Sequence, residues 1–289
     1  MHLSLRKRNA LNGYLFISIW LVGLLVFFLL PLFRNFALSV TDAQLSTVQN
    51  HSYSYIGIQN YIEAFSVDVE FLPYLLDTLQ NLVIDVPVIL AFSLAVALLA
   101  VQPLRGNSVF RAIFFLPVVI GSAVVVGRLF DQLGSQLVLF RGQAAQQFLY
   151  IYLGDRLPYF IDFLSRSVFI LWRSGVQILI FIAGLKSIDP TLYEVSQVDG
   201  ASGWSQFWKI TLPMLSPVIL INITYTIIDS FTDYFNTVLR YIRVVTFQQN
   251  SMRLGYPSAL GVIYFVLVFV LVIVIFAVVS KFTFYRGER

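Results

Sequence analysis

The sequence contains no cysteine, and its only histidines are His2 and His51. Disulfide bonds, thiol catalysis and metal sites built from His and Cys are therefore excluded. Charged residues are also scarce, at 12% of the 289 residues, and the net charge of +4 is not gathered into a basic stripe. Nucleic acid is for this reason not an expected partner.

A phosphate-binding loop is missing as well, because no lysine directly follows a glycine anywhere in the chain. If ATP drives this protein, ATP and its Mg²⁺ must be bound by another chain, and no cofactor is expected on this one. The apolar segments contain no nucleophile beside a histidine base. The sequence therefore predicts a protein that is not an enzyme.

Long apolar segments dominate the chain, since 58% of the residues are hydrophobic. Residues 14–33 are all uncharged, and about twenty such residues suffice to cross ~30 Å of hydrocarbon. The pattern predicts an all-α, polytopic membrane protein with a single transmembrane domain over residues 1–289. Its six spans are expected at about 14–33, 78–101, 112–130, 168–185, 210–231 and 259–280.

The distribution of basic residues predicts the orientation of these spans. Six spans place both termini on the same side of the membrane, together with all four lysines and six arginines. Six further arginines would lie on the opposite side. By the positive-inside rule, this margin of ten to six predicts that both termini are cytoplasmic.

One polar segment, residues 189–213, separates two of the apolar spans and has a helix-turn-helix pattern. Asp189 is expected to cap a helix that begins at Pro190, and Gly200 is expected to end it. This helix would have one apolar side, formed by Leu192, Tyr193, Val195 and Ser196. Such a side is too apolar to remain in water, and the helix is therefore expected to dock on another surface.

Within this segment Glu194 is followed by Gly200 and, after nine intervening residues, by Ile210, Leu212 and Pro213. This spacing resembles the cytoplasmic coupling loop of ATP-binding-cassette importer permeases, which is written Glu-Ala-Ala, three residues, Gly, nine residues and Ile-x-Leu-Pro. Val195 and Ser196 replace the two alanines. A chance match by an ordinary amphipathic loop helix is the alternative. The resemblance implies that the residues which couple the chain to an ATPase are Glu194, Asp199, Gly200, Ala201, Leu212 and Pro213.

Further segments resemble the carbohydrate branch of this family. They are Asp199-Gly200-Ala201-Ser202 with nearby Trp204, Phe207 and Trp208, the stretch Gly57-Ile58-Gln59-Asn60-Tyr61, and the run from Arg111 to Pro117. Asn60 is expected to cap a short helix, and an ordinary capped surface helix is the alternative for that stretch.

The resemblance implies a type I importer permease fold and the membrane-spanning subunit of an ATP-driven sugar importer in a bacterial plasma membrane. Its implied partners are a second homologous permease, two ATPase subunits, an extracytoplasmic binding protein and an oligosaccharide substrate. A heterodimer of permeases is favoured over a homodimer, and the implied mechanism is alternating access. One alternative is an importer of the same type that carries another solute, such as a polyol phosphate or a peptide. The other is a membrane scaffold or membrane enzyme without transport.

Charged side chains inside the spans are functional candidates, because an unpaired charge in hydrocarbon costs several kcal/mol. Asp85, Arg173 and Asp229 are the main ones. A guanidinium in a sugar site could bind a carboxylate with two hydrogen bonds, which would suit an acidic oligosaccharide. The alternative is an internal ion pair between Arg173 and either Asp85 or Asp229.

A polar stripe runs along the fifth predicted span and just past its end. Its residues are spaced four, three and four positions apart, and they are Asn222, Thr226, Asp229 and Asp233. Such a stripe indicates a water-filled cavity or contact with a neighbouring helix. Together with the resemblance, it predicts a sugar pathway formed by Asp85, Trp172, Arg173, Asn222, Tyr225, Thr226, Asp229, Ser230 and Asp233.

Overall fold

The computed structural model describes residues 5–46, 54–102, 150–152, 154–156, 167, 170–247 and 251–283. The described chain is helical apart from one small sheet. In chain order its helices and strands are α1 (Leu5–Leu24), α2 (Leu30–Ser39), β1 (Gln44–Ser46), α3 (Gln59–Ile62), α4 (Phe71–Val101), α5 (Gly175–Lys186), α6 (Pro190–Val198), α7 (Gly203–Gln206), α8 (Leu212–Thr232), α9 (Thr237–Thr246), β2 (Ser251–Arg253) and α10 (Gly255–Ser280). Five-residue π-helical turns cover Leu25–Leu29, Glu63–Val67 and Phe207–Thr211, and Gly154–Arg156 is a 3₁₀ turn.

Apolar helices long enough to cross a membrane confirm the predicted fold class. Within the described ranges they cover Gly13–Ser39, Phe71–Val101, Gly203–Thr246 and Gly255–Ser280. The pair α5 and α6, which is bent by 61°, is a fifth candidate. Five of the predicted spans coincide with these helices, and the predicted span 112–130 lies outside the described residues.

Two of the π turns have a common local cause. Each directly precedes a Leu-Pro pair, Leu30-Pro31 or Leu212-Pro213. Proline has no N–H to donate, and its ring pushes away the carbonyl four residues earlier. The leucine N–H accordingly bonds five residues back, to the carbonyl of Leu25 in one case and of Phe207 in the other. The helix continues through the proline instead of breaking.

The contacts divide the chain into two compact units, Met1–Leu75 with Arg240–Leu267 and Leu76–Leu239 with Val268–Arg289. In the first unit, β1 pairs antiparallel with β2, with Gln44 opposite Arg253. Gly255 follows this sheet at a point where only glycine fits, since a Cβ atom there would lie 1.9 Å from the carbonyl oxygen of Thr41. The prediction of a single transmembrane domain stays a prediction.

Asn60 does not cap the short helix α3, and that prediction was wrong. The N-cap residue is Ile58, without a side-chain hydrogen bond, and Asn60 lies inside the helix. Its amide is buried and donates to the carbonyls of Ser39 and Thr41, at 2.8 and 2.9 Å. The end of the first span supplies these acceptors, and so a tertiary contact replaces the local cap.

The core of the second unit joins three helices. Val96, Ala97 and Ala100 of α4 pack against Ile178, Phe181 and Ile182 of α5, and Val218 and Ile219 of α8 cover this cluster. Gly184 brings α5 and α8 together, because a Cβ atom on it would lie 2.8 Å from both γ-methyl groups of Val218. Close approach through a small residue is typical of helices packed inside membranes. It sets how closely α5 and α8 approach each other at Gly184.

Candidate functional site

Arg173 lies in the helical turn before α5 and forms the charged end of the contact between α5 and α8. Its Nη2 donates to Ser230 Oγ at 2.8 Å and lies 3.3 Å from Asp229 Oδ2. Its Nε lies 3.4 Å from Asp233 Oδ2. The Arg173 side chain is only 8% exposed, compared with 35% for Asp229 and 19% for Asp233.

This geometry bears on the two explanations for Arg173. The arginine pairs with Asp229, which was one of the two expected internal partners, and it also pairs with Asp233. One guanidinium and two carboxylates carry a formal charge of −1 between them. A buried charge needs such partners, since the cost of removing it from water otherwise exceeds what packing returns. The more exposed partner, Asp229, is the one that a ligand would reach first.

Deeper along the same contact lies a pair of amides. Gln177 and Asn222 are both fully buried, and the Asn222 amide donates to the Gln177 main-chain carbonyl at 3.0 Å. Within the described ranges, neither polar atom of the Gln177 side chain has a hydrogen-bond partner, and the same holds for Asn222 Oδ1. Leaving a buried polar group without a partner costs about 1–3 kcal/mol. Among the described residues, no hydrogen bond offsets this cost at these three atoms.

The polar stripe on α8 thus has two different halves. Asn222 contacts α5 through its bond to the Gln177 carbonyl, and the buried Thr226 donates to the Asn222 carbonyl within α8, at 2.7 Å. Asp229, Ser230 and Asp233 surround the Arg173 guanidinium. The alternative of helix packing describes the first half, and the second half is a charged cluster.

Three further residues were predicted to line the pathway. Trp172 lies beside Arg173, Tyr225 lies on α8 and Asp85 lies on α4, and all three side chains are half-buried. Their role in a sugar pathway stays a prediction. Gln177 was missed by the sequence analysis, although it lies one helical turn after Arg173 and is a lone amide in an otherwise apolar segment.

The predicted caps of the polar loop are confirmed. Asp189 is the N-cap of α6, its carboxylate accepts from the Thr191 N–H at 3.0 Å, and Pro190 is the first helical residue. Gly200 has φ = +78°, a left-handed conformation that costs other residues about 1–2 kcal/mol. Ala201 links this turn to Ser202, which caps the next helix.

The apolar side predicted for α6 is divided between two faces. Leu192, Tyr193 and Ser196 are half-buried against the chain. Val195 and Val198 are 63% and 88% exposed. Glu194 and Asp199 are exposed with them, whereas Leu212 and Pro213 are half-buried at the start of α8. The exposed face is the one available to a partner.

Comparison with known proteins identifies the chain. Residues 71–285 match the family described as binding-protein-dependent transport system inner membrane component. The chain belongs to this family. Among the relatives of this transport component, the probable ABC transporter permease protein YesP of Bacillus subtilis (strain 168) is 29% identical over 99% of this chain and 96% of that protein. The lactose transport system permease protein LacF of Rhizobium radiobacter is 30% identical over 81% of this chain and 78% of that protein.

The fold of this transport component is that of the permeases of ABC importers. A chain of a bacterial alginate ABC transporter, solved in complex with an alginate pentasaccharide-bound periplasmic protein, superposes with a TM-score of 0.65. The two chains are 20% identical, and the match covers 93% of each. In the part of the chain that the structure describes, no three His, Asp or Glu side chains form a group that could hold a metal ion.

Proposed function

We propose that the chain is the membrane-spanning subunit of an ATP-driven importer of oligosaccharides, and that the sugar passes along the contact between α5 and α8. The observation that carries the proposal is a charged and amide-rich cluster between two apolar helices, around Arg173 and Gln177. Relatives named for lactose, arabinooligosaccharides and trehalose or maltose support sugars as the substrate class.

The cluster has the chemistry that sugar recognition needs. Carboxylates and amides accept and donate hydrogen bonds to hydroxyl groups, and a ligand that satisfies Gln177 and Asn222 recovers the cost of burying them. Trp172, Tyr225 and Tyr234 supply rings for the apolar face of a sugar. Asp85, Thr226 and Ser230 complete the proposed pathway.

The proposed machine contains a second permease, two ATPase subunits that bind ATP and Mg²⁺, and an extracytoplasmic binding protein. Both termini and the loop 189–213 would be cytoplasmic, so that the exposed face of α6 meets the ATPase. Closure of the ATPases would open the pathway outward, and their release would return it inward.

An acidic oligosaccharide is the proposed substrate. Arg173 is the one side chain of the cluster that can bind a carboxylate with two parallel hydrogen bonds. A uronate carboxylate would replace Asp229 as a partner of Arg173, because Asp229 is the more exposed of the two aspartates. The alginate specificity of the transporter with the same fold supports this substrate class.

Exchange of Arg173 for lysine tests the proposal. Lysine keeps the positive charge between the two aspartates but lacks the planar guanidinium that forms two parallel hydrogen bonds. Uptake of a uronate trisaccharide into proteoliposomes with the complete transporter should fall by about tenfold, equivalent to ~1.4 kcal/mol. Uptake of the carboxyl-reduced, neutral trisaccharide should stay within about twofold. Arg253→Lys is the matched control, since Arg253 forms a comparable 3.3 Å ion pair with Glu63 in the other unit.

Equal losses for both sugars in Arg173→Lys would mean that the arginine only holds the helices together. Absence of uptake of either sugar by the unaltered transporter would refute sugar import itself.

A further inference from the structure

Helix α6 is tied by side chains to the helix that follows it in sequence. The Tyr193 hydroxyl and Thr211 Oγ1 are 2.9 Å apart. The Gln206 amide donates to Ser196 Oγ at 2.8 Å and to the Tyr193 carbonyl at 3.3 Å. These three bonds join α6 to α7 and to the π turn before α8, across the tight turn at Gly200.

The bonds leave the exposed face of α6 free for a partner. Tyr193 and Ser196 are three residues apart and therefore lie on the same side of the helix. Glu194, Val195 and Val198 point away from them and are exposed. A protein bound to that exposed face would push on α6 without displacing the hydrogen bonds behind it.

The other ends of these bonds belong to a long helical rod. Helical structure runs without a gap from Gly203 through the π turn to Thr232. Gln206 and Thr211 lie near its beginning, and Asp229 lies near its far end. At 1.5 Å per residue, the distance along the rod from Gln206 to Asp229 is about 35 Å.

The pairing of Ser196 with Gln206 also accounts for a departure in the coupling-loop pattern. Ser196 stands where that pattern has its second alanine, and an alanine would offer no acceptor to the Gln206 amide. The Tyr193 carbonyl would remain as an acceptor, but at the longer distance of 3.3 Å. The serine therefore adds a bond across the turn that the usual residue cannot make.

We propose that Tyr193, Ser196, Gln206 and Thr211 form a brace that makes α6 and the rod from Gly203 to Thr232 move as one body. A movement imposed on α6 then reaches Asp229 and Asp233 directly, and shifts them relative to Arg173. These four side chains are positioning residues, which act through the rod and do not touch the sugar. The inference rests on the proposed function, because it concerns how that transporter couples ATP hydrolysis to uptake.

The test measures sugar taken up per ATP hydrolysed by the complete transporter in proteoliposomes, with the uronate trisaccharide as the probe. Gln206→Met keeps the side-chain length but removes both the donor and the acceptor, and Thr211→Val keeps the shape but removes the hydroxyl. Each should lower the ratio of sugar to ATP by at least about threefold while ATP hydrolysis and binding of the ATPase continue. Thr211→Ser, which keeps the hydroxyl, should retain the ratio of the unaltered protein.

Ser196→Ala is the variant least able to disturb folding, since it introduces the residue that the coupling-loop pattern has at this position. It should lower the ratio by about twofold alone and cause no further loss in the Gln206→Met background, because both changes remove the bond between Ser196 and Gln206. Faster amide hydrogen exchange in residues 190–198 of the variants should accompany the loss.

An unchanged ratio in both Gln206→Met and Thr211→Val would overturn the brace. Loss of ATPase binding in these variants would also overturn it, because the side chains would then serve docking instead of transmission. If the unaltered transporter moves no sugar, the proposed function fails, which is a different outcome from uptake that is insensitive to the brace.

Discussion

Two polar clusters of this protein use their hydrogen-bonding groups in opposite ways. In the first unit, the Asp68 carboxylate accepts from the hydroxyls of Tyr241 and Tyr256 and from the N–H groups of Glu70 and Phe71. In the second unit, the Gln177 amide has no hydrogen-bond partner among the described residues.

The two clusters differ in whether groups of the described protein satisfy their polar atoms. Burial raises the pKa of the Asp68 carboxyl, but the hydrogen bonds from Tyr241, Tyr256, Phe71 and Glu70 more than offset it, and the pKa lies below its ordinary value. A carboxyl whose pKa is lowered on folding stabilises the protein at neutral pH. That contribution is lost as the pH falls below ~3.9, the ordinary value for aspartate, through the folded-state pKa.

The amides between α5 and α8 lack such compensation. A buried polar atom without a partner destabilises the fold, and it is retained where a ligand or water satisfies it. Asp68 should therefore matter for stability, and Gln177 for transport. Three substitutions test this comparison.

The largest effect is expected for Asp68→Ala. Two hydroxyls and two N–H groups would lose a charged acceptor, and the free energy of unfolding should fall by about 2–4 kcal/mol. Thermal unfolding in detergent measures this loss. Asp68→Asn keeps one acceptor oxygen, and its free energy of unfolding should fall by roughly half as much. A stable Asp68→Ala protein with altered sugar preference would reverse the roles assigned to the two clusters.

A smaller and opposite effect is expected for Gln177→Leu. The substitution removes an unsatisfied amide of similar volume, so the stability should be unchanged or rise by up to ~1 kcal/mol. Uptake of the trisaccharides should fall by about tenfold, which corresponds to ~1.4 kcal/mol of lost binding.

Ser93→Ala is the control for this prediction, because Ser93 Oγ is another buried atom without a partner in the described ranges, on α4. It should leave uptake unchanged. A marked loss of stability in Gln177→Leu would mean that the amide is satisfied in the folded protein and is structural.

The smallest effect is expected for Asp229→Asn, which removes the excess negative charge around Arg173. Repulsion of a uronate falls, and the concentration for half-maximal uptake of the uronate trisaccharide should decrease by about two- to threefold. The neutral trisaccharide should show no such decrease. An increase for the uronate alone would indicate that Asp229 helps to hold Arg173 in its binding geometry.

Local rules predicted those parts of the protein that depend on neighbours in sequence. The cap at Asp189, the start at Pro190 and the turn at Gly200 follow from the chemistry of single residues, and the structure has all three. The apolar spans followed from composition and length, because a membrane requires uninterrupted apolar helices.

The sequence by itself determined that this is a helical membrane protein with a polar helix-turn-helix loop, and that Arg173 and the stripe on α8 are unusual. Only the tertiary structure decided their partners. It placed Asp233 beside Arg173 and divided the apolar side of α6 between two faces. It also showed that Asn60 does not cap a helix but donates hydrogen bonds to the end of the first span. It also placed Gln177 opposite Asn222, which no periodicity could indicate, because a single amide leaves no repeating pattern. Partners far apart in sequence are chosen by the packing of helices, and that packing depends on the shapes of all their side chains at once.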